Sequence, residues 1–288
     1  MLKRLSPRHR LKNQFSKQDF NYSHLDHKKV WSHQLFTTTL SCGNMVLPYS
    51  IQRYEKDVKS KPQMLIDVLN ELPISEKQVY GLSDSWFPSE KVINAHLKKG
   101  YHYISALKTN RIIYPQGIHI QIQQFAQHIR KEDCHLVIVK KSKYWVYRYE
   151  GKLNGVDNAV VLMCYKEDQF KVDGALHAFL CTDTELDSQT ILKYYSRRWP
   201  IEIFFRQTKG NLGLNGYQVR STKAIDRLLL LIALTYTYCV IIENTNNSFS
   251  KGINICRNNN KKEQIQVVYN CAKDGVPIEN VFKIMKVA

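Results

Sequence analysis

In the stretch SRRWPIEIFFRQTK, Ser196 to Lys209, a single carboxylate, Glu202, stands among four cations: Arg197, Arg198, Arg206 and Lys209. Pro200 suits the first turn of a helix, where its missing N–H costs nothing. Glu202 then falls in that first turn, where the helix dipole favours an anion. Glu202, Arg206 and Lys209 recur four and then three residues apart, so they share one helix face, while Phe204 and Phe205 turn to the core. A second carboxylate, Asp84, closes the apolar strand at 78–83. The C-terminal end of a core strand is where α/β sheets place ligand or metal contacts. Each acid also has a plainer reading. Asp84 could simply turn the chain, and Glu202 could form an i,i+4 ion pair with Arg206 on a solvated face.

The flanking sequence predicts the elements that must position these side chains. VWSHQLFTTTLSCG (30–43) and NMVLPYSIQRY (44–54) read as two strands of a hairpin. Met64, Leu65, Val68, Leu69 and Leu72 have helical spacing. Residues 78–86 give a short strand, SEKVINAHLKKG (89–100) a helix with Ser89 as N-cap, and 101–109 another strand. The order strand, strand, helix, strand, helix indicates an α/β core with mixed pairing. From 111 to 182 short strands prevail, with one helix at 119–130. The helical period returns at 188–198, breaks at Trp199-Pro200, resumes over 200–209, and continues in a long helix at 221–243. Residues 1–20 and the Asn- and Lys-rich stretch at 244–264 show no clear period and read as loosely ordered.

Composition narrows the partners. The chain has 288 residues, 42 Lys plus Arg against 25 Asp plus Glu, and a formal charge of +17. Such an excess favours a polyanion, either nucleic acid or an anionic membrane surface. The longest apolar run, Leu228 to Ile242, spans roughly 22 Å as a helix, short of a ~30 Å hydrocarbon core. It reads as a buried core helix, which leaves no membrane partner and favours nucleic acid. The seven cysteines include no CxxC pair and read as reduced residues of a cytoplasmic protein.

Tyr195, Arg198, Glu202 and Lys209 follow the spacing Tyr-x2-Arg-x3-Glu-x6-Lys. With this pattern the chain resembles the Tyr-Arg-Glu-Lys subgroup of DDE insertion-sequence transposases. GLSDSWFPSEKVINAHLKKGYHYISALKTNR is similar to the family's second-aspartate strand, and ILKYYSRRWPIEIFFRQTKGNLGLNGYQVRS to the segment around its catalytic glutamate. The resemblance runs from about residue 22 to 243. It implies an α/β, RNase H-like core with a β-rich insertion between the second Asp and the Glu. The corresponding division is a divergent basic segment at 1–27, core at 28–110, insertion at 111–182, core at 183–243 and a polar basic tail at 244–288. It further implies DNA phosphodiester hydrolysis and strand transfer with two Mg2+ (or Mn2+) ions, hard cations that take carboxylate oxygens. Asp84 and Glu202 would be catalytic metal ligands. Tyr195, Arg198 and Lys209 would contact phosphates of transposon-end DNA, with a homodimer on DNA as one assembly open to the chain. Trp86 and Trp199 offer faces for base stacking, but such residues more commonly fill cores and stay outside the expected site.

One departure stands out. The family's first Asp belongs to a first core strand, and here that place holds MLKRLSPRHRLKNQF, which has no acid and no strand pattern. Asp19 and Asp26 are the nearest acids, and both fall in the turn before the next strand. The chain thus looks like the C-terminal part of a transposase. Two functions are expected from this: a DDE transposase domain impaired by the absent Asp, or a truncated remnant that binds DNA non-specifically. A metal-dependent nuclease of the same fold is a third option.

Overall fold

The computed structural model describes residues 2–5, 19–23, 27–219 and 221–286. The chain divides into two compact units: Met1–Arg4, Gln34–Phe36 and Arg53–Glu202, and Leu5–His33, Thr37–Gln52 and Ile203–Ala288. In chain order the elements begin with β1 (Leu2–Leu5), β2 (Asp19–Ser23), β3 (Lys28–Cys42), β4 (Met45–Tyr54), α1 (Lys61–Glu71), β5 (Tyr80–Ser83), α2 (Glu90–Lys98) and β6 (His102–Leu107). Then follow β7 (Ile112–Ile113), β8 (Ile120–Gln121), α3 (Ile122–His128), β9 (His135–Val139), β10 (Ser142–Leu153), β11 (Val156–Lys166) and β12 (His177–Cys181). Helices close the chain: α4 (Ser188–Ser196), α5 (Pro200–Asn211), α6 (Thr222–Ile242), α7 (Phe249–Lys273) and α8 (Ile278–Met285). The fold is mixed α/β, as the order of periods in the sequence indicates.

In the first unit an eight-stranded sheet runs β5-β6-β12-β11-β10-β7-β8, with β9 on β10. β5 and β6 are parallel, and the other pairings that position the site are antiparallel. The strands of 112–181 thus continue the sheet that β5 and β6 begin. β11 shows why this sheet sits in the middle. Ala159, Val161 and Met163 pack into one core cluster with Val92 and Ile93 of α2 and Ile122 of α3. Val160, Leu162 and Cys164 pack into the other, with Ile191 and Leu192 of α4. A strand buried on both faces needs an unbroken apolar run rather than alternation, and AVVLMCY supplies it.

α2 is pinned to β5 at one point. His96 is buried, its Nδ1 lies 2.8 Å from the Val92 carbonyl, and its ring packs on Tyr103 at 4.6 Å. Burial pushes the His96 pKa below its usual value. A side chain at Gly81 would meet the His96 ring at 2.3 Å, so glycine is what lets helix and strand approach.

In the second unit α6 and α7 pack closely. A Cβ at Gly252 would lie 1.7 Å from the Cys239 carbonyl oxygen, so the helices cross backbone against backbone there. Tyr236 stacks on Phe249 at 4.6 Å and meets Phe204 edge-on at 4.9 Å. All seven cysteines are free thiols.

Three expectations need correction. The N-terminal stretch has strand after all: β1, and β2, whose Asp19 pairs in register with Ser32 of β3 instead of lying in a turn. β3 is fifteen residues long against ten for β4 and leaves backbone groups for further pairing, which a polar segment can meet without any side-chain period. Asp26 lies outside the described residues. The stretch at 244–264 is mostly helix, because Phe249, Gly252 and Ile253 dock α7 and its polar continuation extends from them. Finally, α6 is buried along one stripe only, Ile225, Leu229, Ile232, Tyr236, Cys239 and Val240. Leu230, Leu231, Leu234, Tyr238 and Ile241 are more than half exposed. With 21 residues and mean hydropathy 1.9, α6 is long and apolar enough to cross a membrane, by length and composition.

Gly81→Ala should therefore destabilise the chain by about 1–3 kcal/mol, the range for overpacking a well-filled contact. Urea unfolding followed by circular dichroism measures it, and an unchanged midpoint would show that the α2–β5 contact is loose.

Candidate active site

The sheet offers one place where its parallel strands end together. β5 finishes at Ser83, and the chain turns at Asp84, whose Oδ1 accepts a hydrogen bond from the Trp86 N–H at 3.0 Å. The Asp84 carbonyl accepts from the Phe87 N–H at 3.3 Å. Asp84 thus does turn the chain, and its half-buried carboxylate sits at the C-terminal end of the strand, where open α/β sheets collect ligands.

The other acid comes from the α4–α5 junction. Asp187 caps α4 by accepting from the Thr190 N–H at 2.9 Å, and the helix ends at Ser196. α5 starts at Pro200 and carries Glu202 in its first turn. Glu202 pairs backward with Arg198, Nη2 to Oε1 3.0 Å, and not forward with Arg206, which is exposed. Helical side chains lean toward the N-terminus, so a first-turn carboxylate reaches the preceding segment more easily than the following turn. Arg198 is only 18% exposed and Glu202 23%, so this pair is partly shielded from water. The expected core positions of Phe204 and Phe205 hold, at 1% and 0% exposure.

Tyr195 packs beside Arg198, whose guanidinium lies 5.7 Å from the centroid of its ring. Burial raises the Tyr195 pKa, Arg198 opposes the rise, and the charges of Asp84 and Glu202 both add to it. Burial works against the Arg198 charge, yet Tyr195 and Glu202 outweigh that and raise its pKa. Lys209 lies in the last turn of α5, seven residues beyond Glu202.

Beneath Asp84 is a polar layer that composition and spacing did not reveal. Tyr103 is fully buried, with its hydroxyl bonded to Ser83 Oγ. Its backbone N–H donates to Thr182 Oγ1 at 2.8 Å. Burial raises its pKa and Asp84 adds to the rise. The signal in the sequence was the tyrosine on the inward side of YHYISAL, whose hydroxyl must find a partner when buried. Trp86 and Trp199 are 69% and 52% exposed, so neither is core.

Carboxylates such as Asp84 and Glu202 are oxygen donors of the hard kind that Mg2+ takes, together with water and phosphate. No third His, Cys, Asp or Glu groups with them among the described residues. β1, the strand at the chain's N-terminal side, reads LKRL and carries no acid.

The chain belongs to the transposase DDE domain family, which matches it over residues 9–238. The domain is one of DNA transposition, and its members generally use divalent metals. No curated protein matches the chain.

Replacing Arg198 by Ala strands a shielded carboxylate and should lower stability by about 1–3 kcal/mol, the range for losing a hydrogen bond to a charged group. Arg197, exposed on the same turn, should tolerate Ala within about 0.5 kcal/mol. Urea midpoints of the two variants provide the comparison, and equal small effects would remove the ion pair from any role in holding Glu202.

Proposed function

We propose that this chain is a DDE transposase catalytic domain that engages DNA phosphodiester bonds through Asp84 and Glu202, and that it works poorly or not at all as a catalyst. The observation that carries the proposal is the Glu202 carboxylate held by Arg198 in the first turn of α5, within the signature spacing, with Asp84 at the C-terminal end of core strand β5. Membership of the Tyr-Arg-Glu-Lys subgroup is supported by contacts within the signature itself: Arg198 lies over the Tyr195 ring, and Arg198 bonds Glu202. An RNase H-like core is supported by an antiparallel hairpin, β3–β4, followed by the parallel pair β5–β6 with helices between.

Divalent ions, when bound, supply activation of the attacking oxygen and stabilisation of the leaving one. The chain's own residues have separable tasks. Asp84 and Glu202 present oxygens from two rigid supports, a strand end and a helix first turn. Arg198 and Lys209 neutralise backbone phosphate, and the Tyr195 hydroxyl hydrogen-bonds it. Before contact with DNA, Arg198 keeps Glu202 oriented. The donor set suits one hard cation better than the pair the family uses, because β1 brings no carboxylate.

That same gap favours a second reading, a non-catalytic remnant that binds DNA without sequence preference. The formal charge of +17 supports DNA as the partner in either case. A cytoplasmic location and a homodimer on DNA belong to this proposal. So does the absence of a membrane role, since α6 docks on α7 through Gly252 and carries Lys223, Asp226 and Arg227 near its start.

Two outcomes follow. With Mg2+ or Mn2+ and DNA carrying the element's ends, the purified chain should give no strand transfer and at most trace nicking. Robust cleavage that disappears in Glu202→Ala would establish a competent enzyme and require another acid in the third position. In binding, replacing Arg198 and Lys209 together by Ala should reduce the slope of log K against log salt by roughly two. Arg197→Ala should leave it unchanged, and an unchanged slope in the double variant would place the DNA contacts elsewhere.

A further inference from the structure

A groove of about 560 Å3 lies between α1 and α2. The two helices run parallel there. At one end Lys99, just past α2, donates from Nζ to the Leu69 and Asn70 carbonyls at the close of α1, at 2.5 and 3.2 Å. At the other end Lys61, the first residue of α1, lies 5.6 Å from the ring of Trp86, which sits four residues before α2 begins. Both helix N-termini therefore point toward the edge where Asp84 turns the chain, and both add partial positive charge there.

The walls of the groove are Asn70 from α1 and Lys91, Asn94 and Lys98 from α2, over a floor of Ile66 and Ala95. Lys91, Ala95 and Lys98 recur at helical spacing on the face of α2 opposite its core residues Val92, Ile93 and His96. Lys91 and Lys98 are exposed. No acid lines the groove. Of the acids nearest in sequence, Asp67 pairs with Lys59 at 2.5 Å and Gln63 at 2.9 Å, the Glu90 side chain lies beside Gly155, and Glu71, the last residue of α1, does not line the groove. The charge in the groove is thus uncompensated by its own walls. Lys91 and Lys98 are about 10 Å apart along the helix, far enough to meet separate phosphates of one DNA strand. At the Asp84 end the track continues onto Trp86, whose ring holds Lys61 and also Lys108, 4.7 Å from its centroid.

The geometry points to the α1–α2 groove as a second track for the DNA backbone, carrying duplex away from the Asp84 edge and separate from the helix that bears Arg198. The inference rests on DNA being the partner. It adds a surface to that reading: phosphates seated on Lys91 and Lys98, with the Asn70 and Asn94 amides as neutral donors beside them.

The test uses the full chain and a short labelled duplex, with affinity followed by fluorescence anisotropy across a salt series. Lys91→Glu with Lys98→Glu should weaken binding roughly tenfold or more at low salt, and should reduce the log–log salt slope by roughly two. Lys140→Glu with Lys141→Glu changes net charge equally at the β9–β10 turn and should stay within about twofold. In the unvaried chain, duplex should protect Lys91 and Lys98 from acetylation, read by mass spectrometry, and high salt should restore their reactivity. This footprint decides the matter if the groove variant fails to fold. Equal effects at groove and control, or a weakened groove variant without protection of the two lysines, would overturn the track. If that happened while the Arg198 and Lys209 variants still lost affinity, the DNA reading would survive. Failure of the unvaried chain to bind duplex even at low salt would overturn both.

Discussion

Arg198 holds the candidate site together. It lies 5.7 Å from the Tyr195 ring centroid and donates to the Glu202 carboxylate at 3.0 Å, and it does so partly out of water, where such contacts act more strongly than on a solvated face. Remove it, and Glu202 loses the partner that aims it. The rest of the first unit serves to bring Asp84 to this point. Burial of both faces of β11 fixes the sheet, Gly81 lets α2 seat against β5, and β5 then delivers Asp84 at its end.

The same arrangement limits what the chain can do. On the proposed reading, two carboxylates and an arginine would orient one hard cation and one phosphate. A pair of ions at fixed separation needs more oxygen donors. The formal charge of +17 favours a polyanionic partner.

Much of this was legible in the sequence, and the limits are physical. Hydrophobic period located α1, β5, α2 and β6 to within a few residues, because each buries one face against the sheet. The spacing of Tyr195, Arg198, Glu202 and Lys209 marked the α4–α5 junction. Spacing alone could not choose the partner of Glu202, because Arg198 and Arg206 are both four residues away and only side-chain lean and burial separate them. α6 looked like a core helix because it is apolar all round, yet burial depends on how many neighbours pack against it, and only one stripe is covered. The strands β1 and β2 and most of α7 escaped because backbone pairing or a short anchor, not a side-chain period, sets them. Tyr103 escaped because a buried hydroxyl chain is visible only once Ser83 and Thr182 are brought beside it.

The central claim is that Asp84 and Glu202 act on one shared point. It can be tested without catalysis or metal by placing a fluorinated tyrosine at position 195 and titrating its hydroxyl by 19F NMR. Asp84→Asn and Glu202→Gln should each lower that pKa relative to the unvaried chain, since each removes a negative charge that disfavours ionisation. If either substitution leaves the titration where it was, the two carboxylates do not share a site.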